Sequence, residues 1–275
     1  MLTAADMAQA IKNDKPERQT LLVWGTPRTG KTVLAATIAK VPHIKRVYWL
    51  DNESGFKSIF YAKDKEGNPL FTQEELAKII PFNVVDTKDK PRAAETILKS
   101  FTSHMPLSIC QEHGTINCKL CKEYVPFHLP GCTVEDAVVI DSGSQLADSI
   151  LNLEKTLNNY KDLRKYYYDF TADATNVLIA IQAAKTNVVM TTHSIDVSDE
   201  DGDKFIGSFP LFGSQNFSKK IGKYFDHIIY CHTELNSFKR GSNIFYKDKI
   251  ATGSRSNVMI EKEATPTLVP FFKSS

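Results

Sequence analysis

No stretch of the 275 residues approaches the roughly 18 consecutive apolar positions that a membrane-spanning helix requires. The opening segment, MLTAADMAQAIKNDKPERQ, is polar and amphipathic and lacks the apolar centre of a signal peptide. A cytoplasmic location without a membrane partner is therefore expected. Charge of one sign is also missing. With 34 Lys and Arg against 32 Asp and Glu, the formal net charge is +2, which excludes a globally basic nucleic-acid binder and leaves room only for a local patch. Cysteine is scarce, yet four of the 5 residues fall between Cys110 and Cys132. In a reducing compartment such crowding points to a metal before a disulfide. No internal repeat or low-complexity stretch is present. An apolar content of 42% over this length is enough for a full core, in one large α/β domain or one domain with an insertion.

What is present is organised around TLLVWGTPRTGKT, residues 20 to 32. Thr20 to Trp24 is a short apolar run of β-formers, which reads as a buried strand. It enters Gly25-Thr26-Pro27-Arg28-Thr29-Gly30-Lys31-Thr32, a match to G-x-x-x-x-G-K-[ST], and a helical stretch opens at Val33. Strand, loop and helix in that order are the context a phosphate-binding loop needs. The loop's N–H groups are expected to surround phosphate oxygens, Lys31 to reach the β- and γ-phosphates, and the Thr32 hydroxyl to sit on Mg²⁺. The helix adds its positive end. The sequence thus predicts a binder of ATP or another nucleoside triphosphate.

Beyond it, strands are expected over RVYWLDNESGF (ending near Leu50), IIPFNVVD, DAVVIDS, TNVVMTTHS, FDHIIYCH and NVMIEKE. Helices are expected at 3–14, over PRAAETILKSF, and at 143–158 and 161–184; ELNSFKRGSNIFYKD reads as a hairpin turning at Arg240-Gly241-Ser242. Strands alternating with helices predict a mostly parallel sheet covered on both faces, with ligands at the strands' carboxyl ends. Several of those ends are polar. Asp141 closes the apolar run AVVID and is the expected Mg²⁺ carboxylate, in preference to a helix cap, with Ser142 in support. Asp51-Asn52-Glu53 presents two carboxylates, and Glu53 reads equally as the base for an attacking water and as a solvated loop acid. His193 closes VVMTTHS, as a γ-phosphate sensor or as a structural histidine.

Together these segments resemble the RecA-type ATPases. In that family a P-loop is followed by a strand ending in Asp-x-Glu (here LDNES), an apolar strand ending in Asp-Ser (VVIDS), and a strand ending in Gln or His (TTHS). Small phage-encoded RecA-core proteins of the Sak-four kind are more similar still, sharing a Phe-Asp strand after a basic helix, here FSKKIGKYFDHIIY, and the resemblance covers roughly residues 18 to 260. It implies a RecA-like core over 1–275, Glu53 as catalytic base, His193 as coupling residue, and DNA-linked ATP hydrolysis in a homo-oligomeric ring or filament. Its implied partners are single-stranded DNA and a single-strand-binding or other replication protein. A cation from the neighbouring subunit would complete the site; Arg255 is the candidate, with Lys247 and Lys249 before it, against a plain basic loop. A helicase-loader-like ATPase with a protein partner and a nucleotide switch with little turnover are the alternatives.

Cys110-x-x-His113 and Cys118-x-x-Cys121 form two chelating pairs four residues apart, suited to a structural, tetrahedral Zn²⁺ in an inserted module over 106–133. His128 and Cys132 are possible substitute ligands, and without metal a loop of about 30 residues has little reason to be ordered. From Gln215 to Ser256, eight Lys or Arg face three acids, with Phe217, Tyr224, Phe238 and Tyr246 interleaved, a stretch suited to single-stranded DNA. IDVSDEDGDKF, with five acids and one lysine, is expected to turn away from DNA, leaving GSFPLFGSQNFSKK as the contact.

Overall fold

Five residues of apolar β-formers, Thr20–Trp24 (β1), are buried on both faces, as a central strand of a parallel sheet must be. In the computed structural model, which describes residues 3, 16–157, 163–199, 204–233, 240–243, 249–255 and 266–272, β1 is central to an eight-stranded sheet. Its other strands are Arg46–Asp51 (β2), Ile79–Asn83 (β3), Asp136–Asp141 (β6), Asn187–Thr192 (β7), His227–Thr233 (β10), Arg240–Asn243 (β11) and Gly253–Ser254 (β12). The order is β11-β10-β1-β7-β6-β2-β3, with β12 also on β10. The strands from β10 to β3 are parallel, and β11 and β12 run antiparallel to β10. Pro81 is tolerated in β3 because that strand lies at the sheet's edge in this order.

Helices cover one face thickly. Arg92–Thr102 (α3), Gly143–Leu157 (α4) and Leu163–Ala183 (α5) join the cluster that holds Leu22, Phe82, Val138 and Met190. The other face is thinner. Lys31–Ala36 (α1) tightens into a 3₁₀ turn over Thr37–Lys40, and with the 3₁₀ segments Phe56–Tyr61 and Val269–Phe272 it covers Leu21, Val23, Trp49 and Val139. A five-residue helix, Gln73–Ala77 (α2), carries a reciprocal capping box between Thr72 and Glu75, a signal legible in Thr72-x-x-Glu75. Among the described residues no helix is long and apolar enough to cross a membrane.

Three expectations change. Arg240-Gly241-Ser242 is not a turn: these residues are in strand β11, with Arg240 opposite Thr233. The acidic segment after His193 is a hairpin, Ser194–Ser198 (β8) against Phe205–Pro210 (β9), outside the main sheet. The insertion is ordered by more than ligands. Leu107–Ile109 (β4) pairs with Val125–Phe127 (β5), and Ile109, Phe127, Leu129 and Cys132 belong to the main core. Phe127 meets Tyr48 and Phe82 at ring centroids 4.9 and 5.9 Å away. The expected helix at 3–14, the strand NVMIEKE, and Phe238, Lys239, Tyr246 and Lys247 fall outside the described residues.

Candidate active site

The carboxyl ends of β1, β2, β6 and β7 meet at one edge, because these parallel strands share one direction and close register. Gly25 leaves β1 where the backbone passes under the carbonyl of Cys231. A Cβ there would lie 2.2 Å from that oxygen, so only glycine fits. The loop closes on itself: Thr29 Oγ1 donates to the Thr26 carbonyl at 2.9 Å, and Lys31 Nζ donates to the carbonyls of Gly25 and Thr26 at 3.0 and 2.9 Å. Lys31 is buried, which pushes its pKa down against the pull of Cys231, Glu53 and Asp141. Thr26, Pro27 and Arg28 form the exposed rim.

Asp141 ends β6 fully enclosed. Burial raises its carboxyl from 3.8 to about 6, with Glu53 and Asp51 adding to the rise and the neighbouring hydroxyls of Thr191 and Thr32 opposing it. Its Oδ1 accepts from Thr191 Oγ1, while its Oδ2 is buried and without a partner among the described residues. A hydroxyl and an orphaned carboxylate oxygen beside the phosphate loop fit a hard divalent cation such as Mg²⁺. The arrangement brings Thr32 and Asp141 together as the sequence predicts.

Glu53 faces the same space. Its Oε1 accepts from the Ser142 hydroxyl and lies 3.0 Å from His193 Nε2. Burial pushes its pKa up, but hydrogen bonds from His193 and Ser142 and the charges of His193 and Lys31 outweigh that and lower it. A carboxylate held ionised, about a quarter exposed, can accept a proton from water. His193 is anchored through its N–H on Ser144 Oγ at 2.9 Å, and β8 starts at the next residue. Glu53 and His193 therefore touch, although 140 residues separate them.

Asn52 and Asp51 hold Glu53 in place, roles that only the folded chain shows. Asn52 grips the tip of β6: its amide donates to the Ser142 carbonyl at 2.9 Å and its carbonyl accepts from the Ser142 N–H. Asp51 ties the turn, accepting from the N–H groups of Glu53, Gly55 and Phe56 at 3.0 to 3.3 Å. Both sit in the same LDNES segment, but nothing in it says which strand lies alongside. Asn52→Ala leaves the buried N–H of Ser142 unsatisfied, while its carbonyl still accepts from the Leu146 N–H at 3.0 Å. An expected loss of about 1–3 kcal/mol in urea denaturation follows, and a loss below about 0.5 kcal/mol would refute the clamp.

Arg255 lies elsewhere. It pairs with Asp226 at 3.1 Å and donates to the Lys223 carbonyl at 3.2 Å, at the amino end of β10. The length of β1, about 16 Å at roughly 3.3 Å per residue, separates that end from the phosphate loop of the same chain.

At the insertion, Cys110, His113, Cys118 and Cys121 converge, their ligand atoms all within 4.8 Å of one another. His113 Nδ1 is 3.2 Å from Cys121 Sγ and 3.7 Å from Cys118 Sγ. A tetrahedral zinc with bonds of about 2.0–2.3 Å sets its ligand atoms about 3.3–3.8 Å apart, so the cluster is of suitable size. Tyr124 braces it by donating to the carbonyls of Cys118 and Cys121 at 2.5 and 2.8 Å. His128 and Cys132 are not members; Cys132 faces the core, and burial pushes its thiol up to about 12. Gly114, at φ +58, lets the cysteine-histidine turn rest on β3, where a Cβ would lie 2.5 Å from the Asn83 carbonyl.

A parallel sheet with a phosphate loop on β1, an acid on β6 one strand beyond β7, and a second acid on β2 defines a P-loop ATPase with a RecA-like core. The chain belongs to the AAA domain family, whose profile matches residues 17–256. No curated protein matches it in sequence. Among solved structures it is similar to the RadB recombinase at 16% identity, with 88% of each chain covered and a TM-score of 0.41. It is also similar to the flagellar accessory protein FlaH of Methanocaldococcus jannaschii, at 12% identity over 88% of this chain and 83% of that one, TM-score 0.38. A third is a type III secretion ATPase of pathogenic bacteria, at 14% identity and TM-score 0.40; the match covers 79% of this chain and 53% of that one, about half its length.

Proposed function

We propose that the protein is a Mg²⁺-dependent ATPase that acts on single-stranded DNA as a homo-oligomer, in phage recombination, annealing or replication. The observation that carries the catalytic part is the convergence of Glu53, Ser142 and His193 with Lys31 and Asp141 at one strand edge. Gly25 to Val33 would wrap the triphosphate, and Lys31 would exchange its loop carbonyls for phosphate oxygens. Thr32 and Asp141 would hold Mg²⁺, which when bound neutralises charge on the phosphates. Glu53 orients the attacking water and takes its proton, positioned by Ser142 and His193. His193, at the root of the β8–β9 hairpin, would pass the state of the γ-phosphate to that hairpin. Because Arg255 is remote from its own phosphate loop, a role for it in hydrolysis would fall in a neighbouring subunit's site. The DNA assignment is supported by the basic, aromatic-bearing segment that follows the hairpin and by the resemblance to RecA-core recombination proteins. ATPase rate with and without single-stranded DNA is the test. Strong stimulation is expected; stimulation only by a protein partner would favour a loader-like remodelling ATPase, and tight binding with negligible turnover a switch.

Zn²⁺ in the Cys110, His113, Cys118 and Cys121 cluster is proposed as structural, since four protein ligands complete a tetrahedron. Purified protein should carry one equivalent of zinc. Cys110→Ser should bring it below half an equivalent and lower the melting temperature by about 5 °C or more, with the sheet intact because the insertion's base is part of the core. A metal content unchanged by this substitution would remove Cys110 from the site.

Proton and metal compete for Asp141. Its folded value of about 6 lies above its ordinary 3.8, so the metal-free protein is expected to lose stability as pH rises through that interval. For the same reason, the metal-dependent part of nucleotide affinity should fall about tenfold per pH unit below roughly 6 and level off above it. Calorimetric titrations at several pH values, with Asp141→Asn as reference, measure this. Parallel profiles for the two proteins would contradict the assignment.

A further inference from the structure

A cleft of about 420 Å³ lies between α3 and the cysteine-histidine insertion, separate from the phosphate loop. Four cations line it: Lys90, Arg92 and Lys99 on the α3 side and Lys119 on the insertion side, against one acid, Glu95. Arg92, Glu95, Thr96 and Lys99 share a wall because positions three, four and seven apart fall on one helical face. None of the four cations is in an ion pair among the described residues, and the buried Nε of Arg92 has no hydrogen-bond partner among them. Arg92 does pull on Asp86, whose carboxyl burial nonetheless raises. Three thiolates and one imidazole around a divalent ion carry a net single negative charge, so the cleft keeps a positive excess even with the proposed zinc in place. Ile116 and the exposed Leu120, at the tip between Cys118 and Cys121, give the same cleft an apolar surface.

We infer that this cleft binds a short segment of single-stranded nucleic acid, its phosphates on the cations and a base against Ile116 and Leu120. Arg92 and Lys99 stand about two turns apart on α3, and Lys119 lines the cleft from the insertion. Along α3, Arg92 and Lys99 are about 10 Å apart at 1.5 Å per residue, a length over which about two phosphates of a single strand can be met. The inference rests on the single-stranded DNA reading above but assigns that contact to a surface outside the segment 215–256. The site is also tied to the nucleotide edge. Asn83 N–H donates to the Gln111 carbonyl at 2.8 Å, and Val84 N–H to the carbonyl of Asp51 at 2.9 Å, the residue whose side chain holds the Glu53 turn.

The test is fluorescence anisotropy of a labelled oligothymidylate with the full-length protein at several salt concentrations. It compares wild type, Lys99→Glu/Lys119→Glu, and an equal-charge control, Lys165→Glu/Lys185→Glu, all four positions being exposed. The cleft variant should bind at least about tenfold more weakly, with the slope of log affinity against log salt reduced by about 1.4, the share of two single-strand phosphate contacts. The control should stay within about twofold, and zinc content should be equal in all three. A cleft variant within twofold of wild type, with wild type binding well, overturns the cleft and leaves the single-stranded DNA reading standing. Failure of wild type to bind overturns both. Displacement by polyglutamate as effective as by unlabelled oligonucleotide overturns the nucleic-acid identity of the ligand.

Discussion

Glu53→Gln should slow single-turnover ATP hydrolysis by about 10²–10⁴-fold, roughly 3–5 kcal/mol of barrier. ATP affinity should change by less than about threefold. The amide keeps the size of the side chain and still accepts from Ser142, but it cannot take a proton from water. A second consequence follows from the charges. Glu53 is one of the groups that raise Asp141, so neutralising it makes Asp141 easier to ionise and favours the metal. The variant should therefore trap nucleotide with Mg²⁺. Rapid-quench measurement of phosphate release, alongside binding by a fluorescent ATP analogue, separates the two effects. Hydrolysis at the wild-type rate removes Glu53 from the chemistry, whatever the binding. Ser142→Ala and His193→Ala should each act in the same direction but less, because each withdraws one hydrogen bond from the carboxylate and leaves it in place.

Replacing Lys31 by Ala should weaken nucleotide binding by about 10²–10³-fold. Two charge-assisted bonds to phosphate oxygens are worth roughly 1.5–3 kcal/mol each, less what is lost with the loop carbonyls they replace. Those carbonyls, of Gly25 and Thr26, already receive the ammonium, which shows where it is held. Lys31→Arg should rescue little, since a guanidinium does not fit the buried position beside Cys231, whose thiol burial pushes up to about 12. Removing the cation also takes away one of the charges that keep Glu53 ionised, so hydrolysis falls further than occupancy alone accounts for. Competition titrations with ATP at saturating Mg²⁺ give the affinity, and circular dichroism checks the fold. Unaltered affinity in a folded variant would sink the phosphate-loop assignment.

Much of the site was legible because its signals are local. The phosphate loop is a contiguous motif, and β1, β6 and β7 read as strands because burial on both faces demands unbroken apolar runs. The β8–β9 hairpin leaves little mark in the sequence because the burial of its strands is patchy. The Arg240-Gly241-Ser242 segment misled because glycine beside polar residues usually marks a reversal, whereas here β10 offers it a partner. Asn52 could not have been singled out, as its value lies in hydrogen bonds to a residue 90 positions away. His128 and Cys132 looked as able to bind metal as their neighbours until packing turned Cys132 into the core.

The residues alone determined that a triphosphate-binding loop follows a buried strand, that acids end two of the strands, and that two Cys/His pairs of chelating spacing occupy one short segment. These are properties of consecutive residues, set by backbone geometry and side-chain chemistry within a few positions. Only the tertiary structure decided that Glu53 meets Ser142 and His193, that Arg255 stands at the far end of the sheet, and that α3 and the cysteine-histidine turn enclose a basic cleft. Those outcomes depend on strand order and register, which arise from burying apolar faces across the whole chain and leave no mark in any single stretch of it.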